Sequence, residues 1–287
     1  MPELPEVQTI ASDLDDVVGG KTIAAVAVSF DKIVASDLNR FHKLLTGATI
    51  DSVTRLGKWV CFSLSGTEGP VTMLAHLKMT GQFHLGAWPE GESDWPPHTR
   101  AAFRLKGLPA ENDTLFYKDI RKFGRLRAFD LMELEEFLEH LGLGPDPFDM
   151  EPDDFYKRLT SKKGRLKSVL LNQQVVAGLG NIYVDECLFA SGLLPTTSAC
   201  KLSRPDTDRI LTEARRILAA SIKARGSTTS NYEGLKGGGS FQKSHNVYGR
   251  AGEPCPVCGS PIEKSVVGGR GTHHCPHCQR GRLKSGE

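Results

Sequence analysis

The chain has 287 residues, 39% of them hydrophobic and 24% charged, with a formal net charge of +2. That composition excludes a disordered or fibrous polymer and leaves room for two domains of ordinary size. No stretch approaches the roughly 20 apolar residues of a membrane helix, and MPELPEV has neither the basic start nor the apolar run of a secretory signal. A cytoplasmic setting without a membrane is therefore expected.

In chain order, Val7, Ile10, Leu14 and Val17 fall at helical spacing, which predicts a helix over residues 5–18 closed by Gly19-Gly20. From Lys21 to about Phe129 the pattern becomes short β-branched and apolar runs separated by Gly, Pro, Asp and Asn, as in TIAAVAVSF, KWVCFSL and VTMLAHLKM. That spacing predicts an antiparallel β-sandwich or barrel rather than βα units, with residues 86–97 as a surface loop. LMELEEFLEHLG reads as a short amphipathic helix, and the Pro- and acid-rich GPDPFDMEPDD behind it marks a domain boundary. The chain then turns helical: Ile210, Ala214, Ile217, Leu218 and Ile222 make one apolar face, with Pro205 early and Gly226 at the stop. Residues 227–245, with their Gly-Gly-Gly and polar content, predict a mobile loop.

Charge is unevenly placed. Residues 157–167 hold Lys157, Arg158, Lys162, Lys163, Arg165 and Lys167 without an acid, and beyond Ser240 the bases outnumber the acids seven to three. Basic segments are usually plain solvated surface, but two of them beside the motifs below point to nucleic acid.

Cys255-Pro-Val-Cys258 and Cys275-Pro-His-Cys278 stand 16 residues apart. Two such knuckles close a tetrahedral thiolate site, the spacing of a structural zinc ribbon. His273, His274 and His277 compete as ligands, yet four thiolates already complete the shell. Redox pairs or disulfides would need a βαβ context or a secretory route, and neither is present. One structural Zn2+ and no organic cofactor are expected, with GGRGTHH between the knuckles offering Arg270 outward. Cys61, Cys187 and Cys200 read as free thiols.

The string LNQQVVAGLGNIYVDECLFASGLLP predicts a helix ending near Gln174, a glycine-bearing turn, and a second helix from Asn181. A helix start behind Gly178 and Gly180 can hold a phosphate; it can equally be a helical hairpin whose glycines ease packing.

MPELPEV, this glycine string and the zinc ribbon together resemble the bacterial formamidopyrimidine-DNA glycosylase family, in the family's order and over essentially the whole chain. The resemblance implies an α+β protein of two domains. A β-sandwich with a leading helix would occupy residues 1–135 and carry catalysis. A helix–two-turn–helix DNA-binding region would span 150–226, a lesion-capping loop 227–246, and a zinc finger 247–287.

Pro2 alone says little, because proline is common after an initiator Met. Removal of Met1 would make it a secondary amine with a pKa near ~8, partly neutral at pH 7. Attack on the anomeric carbon of a nucleotide would expel the base and leave an iminium, and elimination would then break the strand. The resemblance places the nucleophile on Pro2 and proton handling on Glu3, with Glu6 as a supporting acid. Arg55-Leu-Gly-Lys58 resembles the strand bearing a lysine that assists β-elimination. His76-Leu-Lys-Met79-Thr-Gly81 and Asp119-Ile-Arg121-Lys-Phe123-Gly124 resemble the segments that fill the gap left by an extruded base, with Met79 and Phe123 as wedges and Arg121 facing the orphaned base. Without the family, Met79 and Phe123 read as plain core residues. His98, Lys163 and Asn181 match DNA-contacting positions, and Lys167, one helical turn beyond Lys163, is expected on the same face. Arg270 matches an arginine of the δ-elimination step. A guanidinium is a poor proton donor, so a phosphate clamp is as good a role.

Lys78, Ile120 and Lys122 depart from the family's Gly, Pro and Arg, which puts the wedge geometry and lesion preference in question. The implied activity is excision of 8-oxoguanine and formamidopyrimidines from damaged double-stranded DNA by a monomeric, nucleoid-associated enzyme. Its sister, the endonuclease VIII type for oxidised pyrimidines, begins Met-Pro-Glu-Gly-Pro-Glu and lacks the Met/Arg/Phe set, so Leu4, Met79, Arg121 and Phe123 favour the purine enzyme. A non-catalytic zinc-ribbon DNA-binding protein is the alternative from another class.

Overall fold

Glu3 sets the first helix, α1 (Leu4–Val18): it stands at the N-cap and forms a reciprocal capping box with Glu6, with Pro5 in the first turn. Leu4, Val7, Ile10, Leu14 and Val18 are buried along one face, and the helix ends at Gly19-Gly20, where Gly20 takes φ 73°. In this computed structural model, residues 1–91, 94–228 and 234–281 are described. Parts of the expected surface loop (92–93), of the expected capping loop (229–233) and of the finger's tail (282–287) lie outside the described residues.

Eight strands follow: β1 (Thr22–Val28), β2 (Thr49–Leu56), β3 (Trp59–Gly66), β4 (Gly69–His76), β5 (Gly81–Gly86), β6 (Thr99–Lys106), β7 (Thr114–Asp119) and β8 (Arg125–Phe129). They form one antiparallel sheet in the order β5-β7-β6-β1-β2-β3-β4-β8. A single register pair, Thr22 opposite Thr49, joins its two halves. The halves fold face to face: Phe62 of β3 meets Phe83 of β5 at 5.7 Å between ring centroids, and Phe83 meets Tyr117 of β7 at 5.1 Å. This is the expected sandwich, its core filled by inward residues of both layers. The apolar face of α1 belongs to the same core, and Asp15 accepts the Val53 amide of β2 at 2.6 Å.

One helix escaped the sequence reading. α2 (Leu38–Leu45) is capped by Asp37, whose carboxylate accepts the Arg40 amide at 2.7 Å, and it buries Phe41, Leu44 and Leu45. At eight residues it is too short to stand out within a β-rich stretch. α3 (Leu131–Leu141) lies where expected.

The chain divides into two compact units, residues 1–140 with 225–239, and residues 141–224 with 240–287. The second holds α4 (Pro152–Thr160), α5 (Leu166–Leu170), α6 (Asn181–Ala190), α7 (Arg204–Lys223) and the hairpin β9 (Glu263–Val267) with β10 (Arg270–His274). α7 begins with a Ser203–Asp206 capping box. The helix expected to run to Gln174 is instead the five-residue α5. Beyond it Gln173 organises the turn: its amide nitrogen donates to the carbonyls of Leu171 and Leu179, and its oxygen accepts the Gly178 amide, each at 2.9 Å. Gly178 takes φ 88°, which explains the glycine.

A Cβ on Gly238 would overlap the Thr228 hydroxyl, and one on Gly239 would overlap the Gly226 carbonyl. Gly238 and Gly239 thus permit close packing against residues 226–228. Among the described residues no helix is long and apolar enough to cross a membrane.

Candidate functional site

In the first unit, α1 delivers the chain terminus to the site. Glu3 and Glu6 are both buried, and the Glu3 amide donates to Glu6 at 2.8 Å. Glu6 also accepts the Ser227 amide at 2.7 Å. Its carboxylate therefore ties the terminus to residues 226–227, where a Cβ on Gly226 would collide with it. Asp13 continues the seam, accepting from Arg225 at 2.6 Å and from the Lys236 amide at 3.2 Å.

Lys58, buried at 6% exposure, sits in the β2–β3 turn behind Gly57 (φ 57°). Arg55 holds that turn: it donates to Gln8 of α1 and to the Gly57 carbonyl, both at 3.2 Å. Burial lowers the α-amine of Met1 below its ordinary value; Glu3 and Glu6 oppose the shift, and Lys58 and Arg121 add to it. Charged groups from three separate segments thus act on one amine. Pro2, half-buried, is the next residue in.

Met79, Phe123 and Ile120 are 42%, 50% and 46% exposed, and Arg121 is exposed beside them. These large apolar side chains are not core. They sit on two turns, 77–80 and 120–123, and the Arg121 guanidinium lies over the Phe123 ring at 4.8 Å. His98 is exposed on a neighbouring segment.

His76 went unnoticed in the sequence beyond its place in a motif. Its Nδ1 accepts the Lys78 amide at 3.1 Å and its ring meets Trp59 edge-on at 4.7 Å. Burial, then Lys78 and Lys58, lower its pKa to about 3. It is a neutral imidazole whose remaining N–H, on Nε2, is available to donate.

In the second unit, Lys163 is exposed in the turn before α5, as a phosphate contact requires. Lys167 is not. It has no exposed side-chain surface: its ammonium pairs with Asp185 at 2.7 Å, also fully buried, and donates to the Gly271 carbonyl at 2.9 Å. The expected phosphate role for Lys167 is therefore corrected. The spacing argument assumed one continuous helix through Lys163, but α5 begins only at Leu166. Replacing Lys167 by Ala would strand a buried carboxylate and is expected to destabilise the protein by about 3–5 kcal/mol, leaving the salt dependence of DNA binding unchanged. Chemical denaturation and salt titration check the two halves of that statement.

Asp185 and Glu186, adjacent on α6, were missed as anchors. Asp185 also accepts the His273 amide at 2.9 Å, and Glu186 accepts the amides of Asn246, Val247 and Tyr248. Asn181 donates its side-chain amide to Gly271 at 2.9 Å. The start of the finger module and its strand β10 are therefore fixed to one helix, and Arg270 projects, exposed, from the tip of the hairpin. The register opposes Val267 to Arg270, so Gly268-Gly269 forms the two-residue turn, with φ of 58° and 74°.

The Sγ atoms of Cys255, Cys258, Cys275 and Cys278 all lie within 4.8 Å of one another. Cys255 and Cys278 are 3.8 Å apart, and Cys258 and Cys275 3.5 Å. Tetrahedral zinc with Zn–S bonds of about 2.3 Å needs sulfurs about 3.8 Å apart, so the cage fits that ion. The amides of Val257 and Cys278 point at Cys255 and Cys275 sulfur at 3.4 and 3.3 Å, the donors that thiolates require. With four protein ligands and no open position, the metal holds shape.

Comparison with known proteins agrees at every scale. Residues 1–126 match the family model of the formamidopyrimidine-DNA glycosylase N-terminal domain, 141–233 the H2TH domain of the same enzymes, and 252–281 the zinc finger found in FPG and IleRS. The formamidopyrimidine-DNA glycosylase of a Bacillus cereus strain is 41% identical over 286 residues, covering 97% of this chain and 99% of the relative. The chain belongs to the formamidopyrimidine-DNA glycosylase family.

The Bacillus licheniformis enzyme of that family is likewise 41% identical, over 98% of this chain and 100% of the relative. A Lactococcus lactis FPG mutant in complex with Fapy-dG-containing DNA has a TM-score of 0.88 at 32% identity, covering 97% of this chain and 100% of that one. MutM in complex with DNA containing carbocyclic 8-oxo-G has a TM-score of 0.87 at 31% identity, with the same coverage. Met79 and Phe123 each stand just before a glycine, Gly81 and Gly124, on a turn that joins two strands.

Proposed function

We infer that this chain is a base-excision repair DNA glycosylase and AP lyase that removes oxidised purines, 8-oxoguanine and formamidopyrimidines, from duplex DNA. The observation that carries the reading is the burial of Glu3, Glu6 and Lys58 about the chain terminus that bears Pro2, on the unit that also exposes Met79 and Phe123.

With Met1 removed, the Pro2 nitrogen forms a bond to C1′ as the bond from C1′ to the base breaks, and the base leaves with a proton. The C1′–O4′ bond then opens as O4′ takes a proton, and the resulting iminium acidifies C2′. Loss of the C2′ proton expels the 3′ phosphate, and a second elimination expels the 5′ phosphate. Glu3 handles protons at the sugar. Lys58, held in the β2–β3 turn, assists β-elimination, and Glu6 holds the terminus in place. Met79 and Phe123 fill the vacated stack, and Arg121 faces the orphaned base. Flipping costs a few kcal/mol, which such wedges offset. His98, Lys163, Asn181 and Arg270 contact the DNA backbone, and Arg270 clamps phosphate during the second elimination. Zinc, where bound, supplies the shape of the finger and no chemistry. The enzyme would act as a monomer, in the bacterial cytoplasm at the nucleoid, where duplex DNA is found.

Borohydride trapping across a lesion panel tests the reading. A covalent adduct with 8-oxoguanine opposite C, formed faster than with thymine glycol, is expected. Faster attack on thymine glycol would make this a pyrimidine enzyme, and no adduct at all would make it a binding protein. The phosphate contacts have a separate check. Lys163→Ala is expected to reduce the slope of log affinity against log salt by about 0.9; an unchanged slope removes Lys163 from the interface.

A further inference from the structure

Asp119, at the end of β7, is completely buried, and three segments converge on it. One carboxylate oxygen accepts the Thr80 hydroxyl and, at 3.2 Å, the Arg121 amide. The other accepts the Gly124 amide at 2.7 Å. Its own amide donates to the His98 carbonyl at 3.0 Å, and its carbonyl accepts from the Arg100 guanidinium at 2.9 Å. Thr80 closes the ring, its hydroxyl accepting the Arg121 amide at 3.0 Å.

The three segments are the ones that carry Met79, His98, and Arg121 with Phe123. Each also holds a strained residue: Lys78, His98 and Lys122 have φ of 51°, 67° and 60°. Left-handed backbone at a non-glycine residue persists only where the surroundings over-determine it. Lys78 and Lys122 are two of the departures from the family pattern, so this chain holds without glycine at Lys78 a turn that glycine would ease. Tyr117, two residues earlier on the same face of β7, adds a second rung. Its hydroxyl donates to the His76 carbonyl at 3.4 Å and lies so close to Gly81 and Gly124 that a Cβ on either would overlap it.

We propose that Asp119 is a positioning residue that locks the Met79, His98 and Arg121–Phe123 segments into one rigid probe of the duplex. It touches no reacting atom, and the proposal rests on the glycosylase reading above. A rigid probe matters where a base stack must be opened and refilled. A single strand offers no stack and no orphaned base, so there the probe is idle.

Asp119→Asn keeps the side-chain volume but turns one accepting oxygen into a donor, breaking either the Gly124 bond or the Thr80 and Arg121 bonds. Displacement of positioned groups can cost about a hundredfold, so duplex 8-oxoguanine excision is expected to fall on the order of ten- to a hundredfold, while trapping on a single-stranded abasic oligonucleotide stays within about twofold. Discrimination between C and A opposite the lesion should shrink, because Arg121 loses its fixed orientation. Thr80→Val should move the same readouts less far, and Thr80→Ser, which restores the hydroxyl, should recover them. If Asp119→Asn does not fold, the Thr80 pair carries the test. Equal losses on single and double strands, or no loss on the duplex, would overturn the proposal. A wild-type protein that traps neither substrate would overturn the glycosylase reading instead. Asp119 is then judged by affinity for duplex abasic DNA, where an unchanged affinity in Asp119→Asn defeats it.

Discussion

A preparation that retains Met1 should bind lesion-containing DNA and fail to cut it. With Met1 in place the Pro2 nitrogen is a peptide nitrogen whose lone pair is delocalised. The free amine is then displaced by one residue, about 3.8 Å along the chain. Since a displacement of about 1 Å can cost about a hundredfold, excision is expected to fall by at least about that factor. Intact mass sorts the two forms, and single-turnover excision with borohydride trapping compares them. Pro2→Gly, which replaces the secondary amine by a primary one, should give a diminished adduct. Full trapping by the Met1-retaining form, or an undiminished adduct with Pro2→Gly, would take the nucleophile away from Pro2. The sign of the pH dependence follows from the site. The burial that lowers the Met1 amine is expected to act in the same sense on the Pro2 amine one residue further in, keeping its neutral, nucleophilic form below the ordinary pKa of ~8. Activity should be kept to lower pH than a free amine would allow and be lost as pH falls through the lowered pKa.

The second large effect concerns the metal. Structural zinc contributes roughly 10–16 kcal/mol to the folding of small finger modules, and a lone two-stranded hairpin is marginal in water. Cys275→Ser, at a fully buried ligand, is expected to release zinc, disorder β9–β10 and weaken DNA binding on the order of a hundredfold, since Arg270 loses its mount. Metal analysis should give one zinc per wild-type chain. A chelated protein that keeps its fold and its affinity would refute a structural metal.

Much of this was legible in local pattern. The zinc ligands follow from spacing, because a Cys-x-x-Cys knuckle is a short-range object. α1 and α7 follow from their Pro and Gly end signals and 3.6-residue periodicity, and the sandwich from short β-branched runs separated by turn residues. Lys167 shows where local pattern fails. The bases that precede it, Lys162, Lys163 and Arg165, are solvated, whereas its partners, Asp185 and Gly271, lie 18 and 104 residues away. Glu186 is the same case, an acid in an apolar helix whose hydrogen-bond donors all belong to residues 246–248. Without the family resemblance Met79 and Phe123 looked like core, because apolar side chains usually are; the turns that expose them are bonded through Asp119 and Thr80, which lie far apart in the chain.

By itself, then, the sequence determined the class of fold, the metal cage and the family, since each rests on residues close together in the chain or on motifs in a fixed order. Only the tertiary structure decided how Pro2 is served. The Met1 amine next to it is shifted first by burial, then by Glu3 and Glu6 beside it and by Lys58 and Arg121 from two distant turns. The reason is physical: desolvation and Coulomb interaction depend on distance in space, and folding sets those distances.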